Sequence, residues 1–332
     1  MTNWTNDQCY YNSIEVMVEN LKISKPDVSD RTIWANAKII RTLIDRDINS
    51  CDFPSVGYTD GNPDWLLYID QTQNKNTRAN QYCAISTLYQ SYPSSTANQL
   101  VVQVCREKIS VLKTEIQLEL DEHKKTVVQE SNWISHKQIL KSIKKLGEVS
   151  KEIIANGFTG KRATIRTVQN WVIQSLYMLD PENPPLRCDY IMKVLYGNQR
   201  LSAFMKSNEN QNYLIVNNDS MTFILNTYKT KKAYGRKILR VGPELYEVLK
   251  LWLIYRNYPV DLLVNTRDKP LSRNNLGKYI TEAFSIYNNK LSVDTLRHIF
   301  ISDNCNLGNS KKYAKLMCHS IEEQQQYWKH TD

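Results

Sequence analysis

Five side chains between positions 187 and 327 combine residue types that could act on an anionic substrate. Arg187 lies in Pro184-Pro185-Leu186-Arg187-Cys188-Asp189-Tyr190, and Lys229 in Asn226-Thr227-Tyr228-Lys229-Thr230. Arg297 follows in Ser292-Val293-Asp294-Thr295-Leu296-Arg297-His298, and His319 in Leu316-Met317-Cys318-His319-Ser320. Tyr327 comes eight residues after that histidine, in Gln324-Gln325-Gln326-Tyr327-Trp328. Arginine and lysine neutralise anionic oxygens, imidazole donates a hydrogen bond, and a phenol is a competent nucleophile once activated. Singly, each has an ordinary reading: Tyr327 is one of 20 tyrosines, and an isolated arginine or lysine most often solvates a helix or turn. Their order and setting give the set its meaning.

All five sit in the basic part of the chain. The 332 residues carry 43 Lys+Arg and 34 Asp+Glu, a formal net charge of +9. Residues 1–128 hold 13 basic and 16 acidic side chains, a net of −3, whereas residues 129–332 hold 30 and 18, a net of +12. A surplus of that size attracts a polyanion, and nucleic acid is the commonest.

The elements that position these residues are mostly helical. Ser29-Asp30 caps a helix over 31–44 with Ile33, Ala37, Ile40 and Ile44 on one face. Helices are expected near 63–70 and 76–89, separated by the turn-rich stretch 51–63 and closed by the break at 92–96. A long charged helix is expected over 98–128, and a lysine-rich one from Ser131 that carries Lys137, Lys141, Lys144 and Lys145. An apolar helix over 163–179 follows the loop 157–160. Arg187 then stands where a proline-limited loop is expected to open a further helix. Strands are expected at 213–217, 221–228 and 237–241, forming a small antiparallel sheet with Lys229 entering a hairpin. From Pro243 the pattern is helical again. The chain therefore reads as a multidomain, mainly α protein with a small antiparallel sheet (α+β). Its expected parts are a helical unit over 1–98, a connector over 99–130 and a larger domain over 131–332.

From about residue 165 onward the chain resembles the tyrosine recombinase (phage-type integrase) family. The resemblance rests on an Arg before a small sheet, a Lys in the hairpin, an HxxR-like motif, a second His and a C-terminal Tyr. The Pro-Pro-x-Arg-x-Asp-Tyr form and the frequent Asn look most like integrases of viruses or virus-like mobile elements. The resemblance implies a helical core-binding domain that grasps DNA, a catalytic domain, and a site-specific recombinase acting on double-stranded DNA as a homotetramer on two sites. It implies no cofactor, no metal and no small-molecule substrate.

Under that resemblance Tyr327 attacks the scissile phosphate and stores its energy as a 3′-phosphotyrosyl bond. Arg187 and Arg297 clamp the nonbridging oxygens, His319 donates a further hydrogen bond, and Lys229 protonates the departing 5′-oxygen. Lys231 and Lys232 lie close enough to compete for that last role; Lys229 is preferred because Thr230 follows it. The first histidine of HxxR is replaced by Asp294, which would accept the tyrosine's proton or orient an arginine. His298 reads as a packed neighbour of Arg297. Charge and helix placement nominate Lys137, Lys141, Arg162, Arg78 and Arg41 as DNA-positioning residues. A relaxing enzyme of the type IB topoisomerase kind and a DNA-binding regulator with a decayed site are the alternatives.

Other readings are thinner. Residues 157–161 end in Gly160-Lys161, but lack the GxxxxGK[ST] spacing and read as a basic turn. The seven cysteines show no CxxC spacing, so reduced thiols in an intracellular protein are expected. The first residues are polar and show no signal-peptide pattern, and no apolar run is long enough to span a membrane. The expected place of action is therefore wherever the target DNA lies, host nucleus or cytoplasm for a viral enzyme.

Overall fold

The computed structural model describes residues 14–46, 64–91, 96–197, 210–285, 290–306 and 308–330. The polar first residues, the turn-rich stretch 51–63 and most of the break at 92–96 lie outside the described residues. The chain divides into two compact units, Met1–Glu122 and His123–Asp332. That division falls within the stretch where the connector was expected.

In the first unit, α1 (Ile14–Ser24), α2 (Asp30–Arg46), α3 (Asp64–Gln71), α4 (Lys75–Ser91) and α5 (Thr96–Asp121) pack around α4. Ile33, Ala37 and Ile40 are buried on the inner face of α2, as their helical spacing requires. The side chain of Ile44 lies outside the described residues. One apolar cluster gathers Leu21, Ile40 and Leu88, and another gathers Ile69, Tyr82, Val101 and Cys105. One face of α5, from Val101 to Leu112, thus belongs to this unit's core.

The second unit begins with α6 (Val127–Asn132) and α7 (His136–Ala155), each opened by a capping box, on Thr126 and Ser135 respectively. Residues 131–133, expected to start the lysine-rich helix, instead end α6, and Ser135 is the true cap. α8 (Arg162–Met178) crosses the middle of the unit, with Trp171, Val172, Ile173, Leu176 and Tyr177 buried.

The sheet comprises β1 (Met192–Tyr196), β2 (Asn212–Val216), β3 (Met221–Leu225) and β4 (Lys237–Arg240), in the order β1-β2-β3-β4. It is mixed, which corrects the antiparallel expectation: β1 runs parallel to β2, and the remaining pairs are antiparallel. Arg187 accordingly leads into a strand and does not open a helix. A parallel neighbour is joined by a long connection and leaves no hairpin signature in the sequence, so β1 had nothing local to announce it. Between β3 and β4 the chain makes a turn and a single helical turn, α9 (Lys231–Tyr234), where a plain hairpin was expected.

Next come α10 (Pro243–Tyr255), α11 (Arg273–Ala283), α12 (Val293–Asn304) and α13 (Ser310–Met317). The short α14 (Ile321–Tyr327) packs against α13 and α12 of the same chain. A continuous apolar core runs from Ile134 through α8, the sheet and α10 to Tyr327. The protein is mainly helical with a small four-stranded mixed sheet, an α+β architecture. Among the described residues, no helix is long and apolar enough to cross a membrane.

Candidate active site

Arg297 anchors the site from the buried face of α12, with 1% of its surface exposed. One guanidinium nitrogen donates to the Pro185 carbonyl at 2.8 Å and another to His319 Nδ1 at 2.9 Å. Its Nε has no partner among the described residues. A buried cation served by neutral acceptors is costly to maintain, and such a group is retained where an anion is to be met.

His319 owes its place to a left-handed residue. Cys318 closes α13 at φ 58°, ψ 49°, a conformation that costs a non-glycine residue about 1 kcal/mol and turns the chain sharply into the core. Because His319 Nδ1 accepts from Arg297, Nε2 carries the proton and donates to Gln324 Oε1. Burial first, and Arg297 second, pull the imidazole pKa down to about 4, so it is neutral at physiological pH.

Tyr327 ends α14, a helix capped by Ser320, whose Oγ accepts from the Glu323 N–H at 3.1 Å. The phenol ring stacks on His319 with centroids 5.3 Å apart and planes 21° from parallel. The Arg297 guanidinium lies 4.6 Å from the ring centre. His298 is more than a packed neighbour of Arg297: its Nδ1 donates to the Tyr327 carbonyl at 2.8 Å, and its Nε2 lies 3.5 Å from Asp294 Oδ2, one helical turn earlier. His298 foremost, with Arg297 and the Tyr327 hydroxyl, holds the carboxyl of the exposed Asp294 below its ordinary range. Asp294 is therefore an ionised acceptor at the phenol.

Arg187 lies in the loop before β1, where its guanidinium pairs with Glu323. The loop is held by Asn183, which donates to the Arg240 carbonyl at 2.9 Å and accepts from the Gly242 N–H at 2.8 Å. Gly242 approaches so closely that an added Cβ would lie 1.7 Å from Asp180 Oδ2. Lys229 is exposed in the turn after β3. Asn212 joins that turn to the arginine loop: its side-chain nitrogen donates to the Asp189 and Thr227 carbonyls, and its oxygen accepts from the Asn226 and Thr227 amides. Thr230 Oγ1 donates to the Cys318 carbonyl at 2.6 Å, placing the turn beside His319. Lys231 and Lys232 stand in α9.

The structure thus brings Arg187, Arg297, His319 and Tyr327 into one connected group, with the Lys229 turn tied to it. Asn212, Glu323, Gln324 and the link of His298 to the Tyr327 carbonyl were not assigned to the site from the sequence, whereas Asp294 was. Ser320-x-x-Glu323 reads as a capping box, in which the glutamate would fold back on the helix start; here its carboxylate goes to Arg187 instead.

The nominated DNA-positioning residues are dispersed. Lys137 and Lys141 are exposed one turn apart on α7, and Arg162 is exposed at the start of α8. Arg78 is half-buried in α4 and donates to the Asp70 carbonyl at 3.3 Å. Arg41 is half-buried in α2. No protein-family model matches the chain, and no curated protein matches it significantly.

Proposed function

We propose that the protein is a tyrosine recombinase, cutting and rejoining DNA strands through a 3′-phosphotyrosyl intermediate on Tyr327. The observation that carries this reading is the stacking of the Tyr327 phenol on a neutral, buried His319 that is itself hydrogen-bonded to the buried Arg297. In this reading the Tyr327 oxygen forms a bond to phosphorus as the bond to the 5′-oxygen breaks. The ionised Asp294 receives the phenolic proton, and Lys229 supplies one to the departing 5′-oxygen. The Arg187 and Arg297 forks neutralise the charge that grows on the nonbridging oxygens. The His319 Nε2–H adds a hydrogen bond that needs no protonation change near neutral pH. Energy kept in the phosphotyrosyl bond lets the strand be rejoined to a new 5′-hydroxyl without ATP. Double-stranded DNA is the proposed substrate, and a homotetramer on two sites the proposed assembly.

A nicked duplex that loses its downstream fragment on cleavage traps the covalent complex. Wild type is expected to give a protein–DNA adduct, and Tyr327→Phe none. Tight DNA binding by wild type without any adduct would overturn the enzymatic reading.

A further inference from the structure

The largest concentration of arginine outside the site described above lines a cavity of about 330 Å³ in the second unit. It is built where the start of α8, the end of α10, the loop 264–268 and α11 meet. Arg162, Arg166, Arg256 and Arg267 contribute to its wall. Gln169 fixes the loop to α8, donating to the Val264 carbonyl at 2.9 Å and accepting from its N–H at 3.0 Å. The Arg166 guanidinium stacks 3.9 Å above the Tyr279 ring. The wall is therefore ordered from several sides.

Arg256 is the decisive residue. Its side chain is 7% exposed, and its Nε and Nη1 have no hydrogen-bond partner among the described residues; Nη2 is paired with Asp268, and the guanidinium lies 5.4 Å from the Trp252 ring centre. Arg166 is paired with Glu282 through one nitrogen, and its Nε also lacks a partner. Four arginines face two carboxylates, leaving a local surplus of two positive charges. Buried guanidinium groups with open donors are costly unless an acceptor anion completes them. The cavity is also reached by the N-terminus of the 17-residue α8, whose cap Lys161 offers no side-chain acceptor. Gly160, at φ +68°, carries the backbone into that start. A helix N-terminus and planar guanidinium forks share one preferred ligand, a phosphoryl oxygen cluster.

We propose that this cavity is a binding site for the dianionic phosphoryl group of a small free phosphorylated compound, separate from the DNA-cleaving centre. Two uncompensated charges suit a dianion. A phosphodiester of duplex DNA carries one charge and presents it on a convex surface. The basic turn at 157–161 acquires a role in this way, as the entry to a phosphate site built on arginines in place of a glycine-rich cradle.

Inorganic pyrophosphate is the probe, titrated calorimetrically into the full-length protein at constant ionic strength. One saturable site is expected, weakened at least about tenfold by Arg256→Gln, as loss of a charge-assisted donor pair requires. Asp268→Asn, on the exposed loop, should tighten binding about threefold by releasing Arg256 from its competitor. It keeps the test valid if Arg256→Gln fails to fold. No saturable site, or one that Asp268→Asn and a folded Arg256→Gln both leave unchanged, would overturn the proposal. Pyrophosphate binding that persists with saturating duplex DNA supports a free ligand. Displacement of pyrophosphate by the duplex assigns the cavity to backbone phosphate and overturns it.

Discussion

At the scale of the residue, two of the three groups proposed to meet the phosphate, Arg187 and His319, are engaged by α14, the helix that ends in the proposed nucleophile. Glu323 holds Arg187, and Gln324 accepts from His319. In the proposed reaction these acceptors stand where substrate oxygens would bind, so DNA would compete with α14 for Arg187 and His319. Glu323→Gln is expected to raise the rate of adduct formation about threefold, the modest value of a partly exposed ion pair. A rate unchanged or lowered would count against that competition. His319 makes a second prediction. Its folded pKa, about 4, lies below the ordinary 6.5, so the unfolded chain binds a proton that the folded one refuses. Stability then falls on acidification through the window from 6.5 towards 4. Between pH 7 and pH 5 the loss is about 2 kcal/mol, and His319→Gln should remove most of it in denaturant titrations.

At the scale of the element, the site depends on loops being held to one another more than on the helices themselves. Asn212 stands at the start of β2, yet its amide ties the arginine loop to the lysine turn through five bonds to residues 189, 226 and 227. Asn212→Ala leaves buried amides and carbonyls unpaired, which costs about 2–3 kcal/mol. Cleavage should fall further than DNA binding in this variant, because binding rests on charges elsewhere. Equal losses in both, measured by adduct yield and by anisotropy, would show that Asn212 only supports folding. Periodicity made helices such as α2 and α7 legible because each buries one stripe. It missed β1, whose parallel partner is remote in sequence, and it began the lysine-rich helix at Ser131, inside α6, because the junction at Trp133 and Ile134 is apolar.

At the scale of the whole molecule, charge separates along the chain more sharply than the sequence boundary at residue 128 implied. Residues 1–122 hold 11 basic and 16 acidic side chains, a net of −5, and residues 123–332 hold 32 and 18, a net of +14. DNA affinity should therefore be steeply salt-dependent and should be carried mainly by the second unit. Neutralising Lys137 and Lys141 together, as Lys137→Gln with Lys141→Gln, is expected to weaken binding on any sequence. It should reduce the slope of log affinity against log salt by about 2 between roughly 50 and 200 mM. An unaltered slope would remove α7 from the DNA-facing surface.

The sequence by itself determined the types and order of Arg187, Lys229, Arg297, His319 and Tyr327, the helical periodicities, and the charge asymmetry, because composition and local spacing are properties of the chain alone. Tertiary structure alone decided that Glu323 and Gln324 engage Arg187 and His319, that His298 reaches the Tyr327 carbonyl, and that Asn212 joins two loops. It also gathered four arginines from α8, α10 and the loop after Val264 into one cavity. The longest of those contacts, Arg187 to Glu323, joins residues 136 positions apart. Their energy depends on distance, burial and hydrogen-bond direction, none of which exists until the chain has folded.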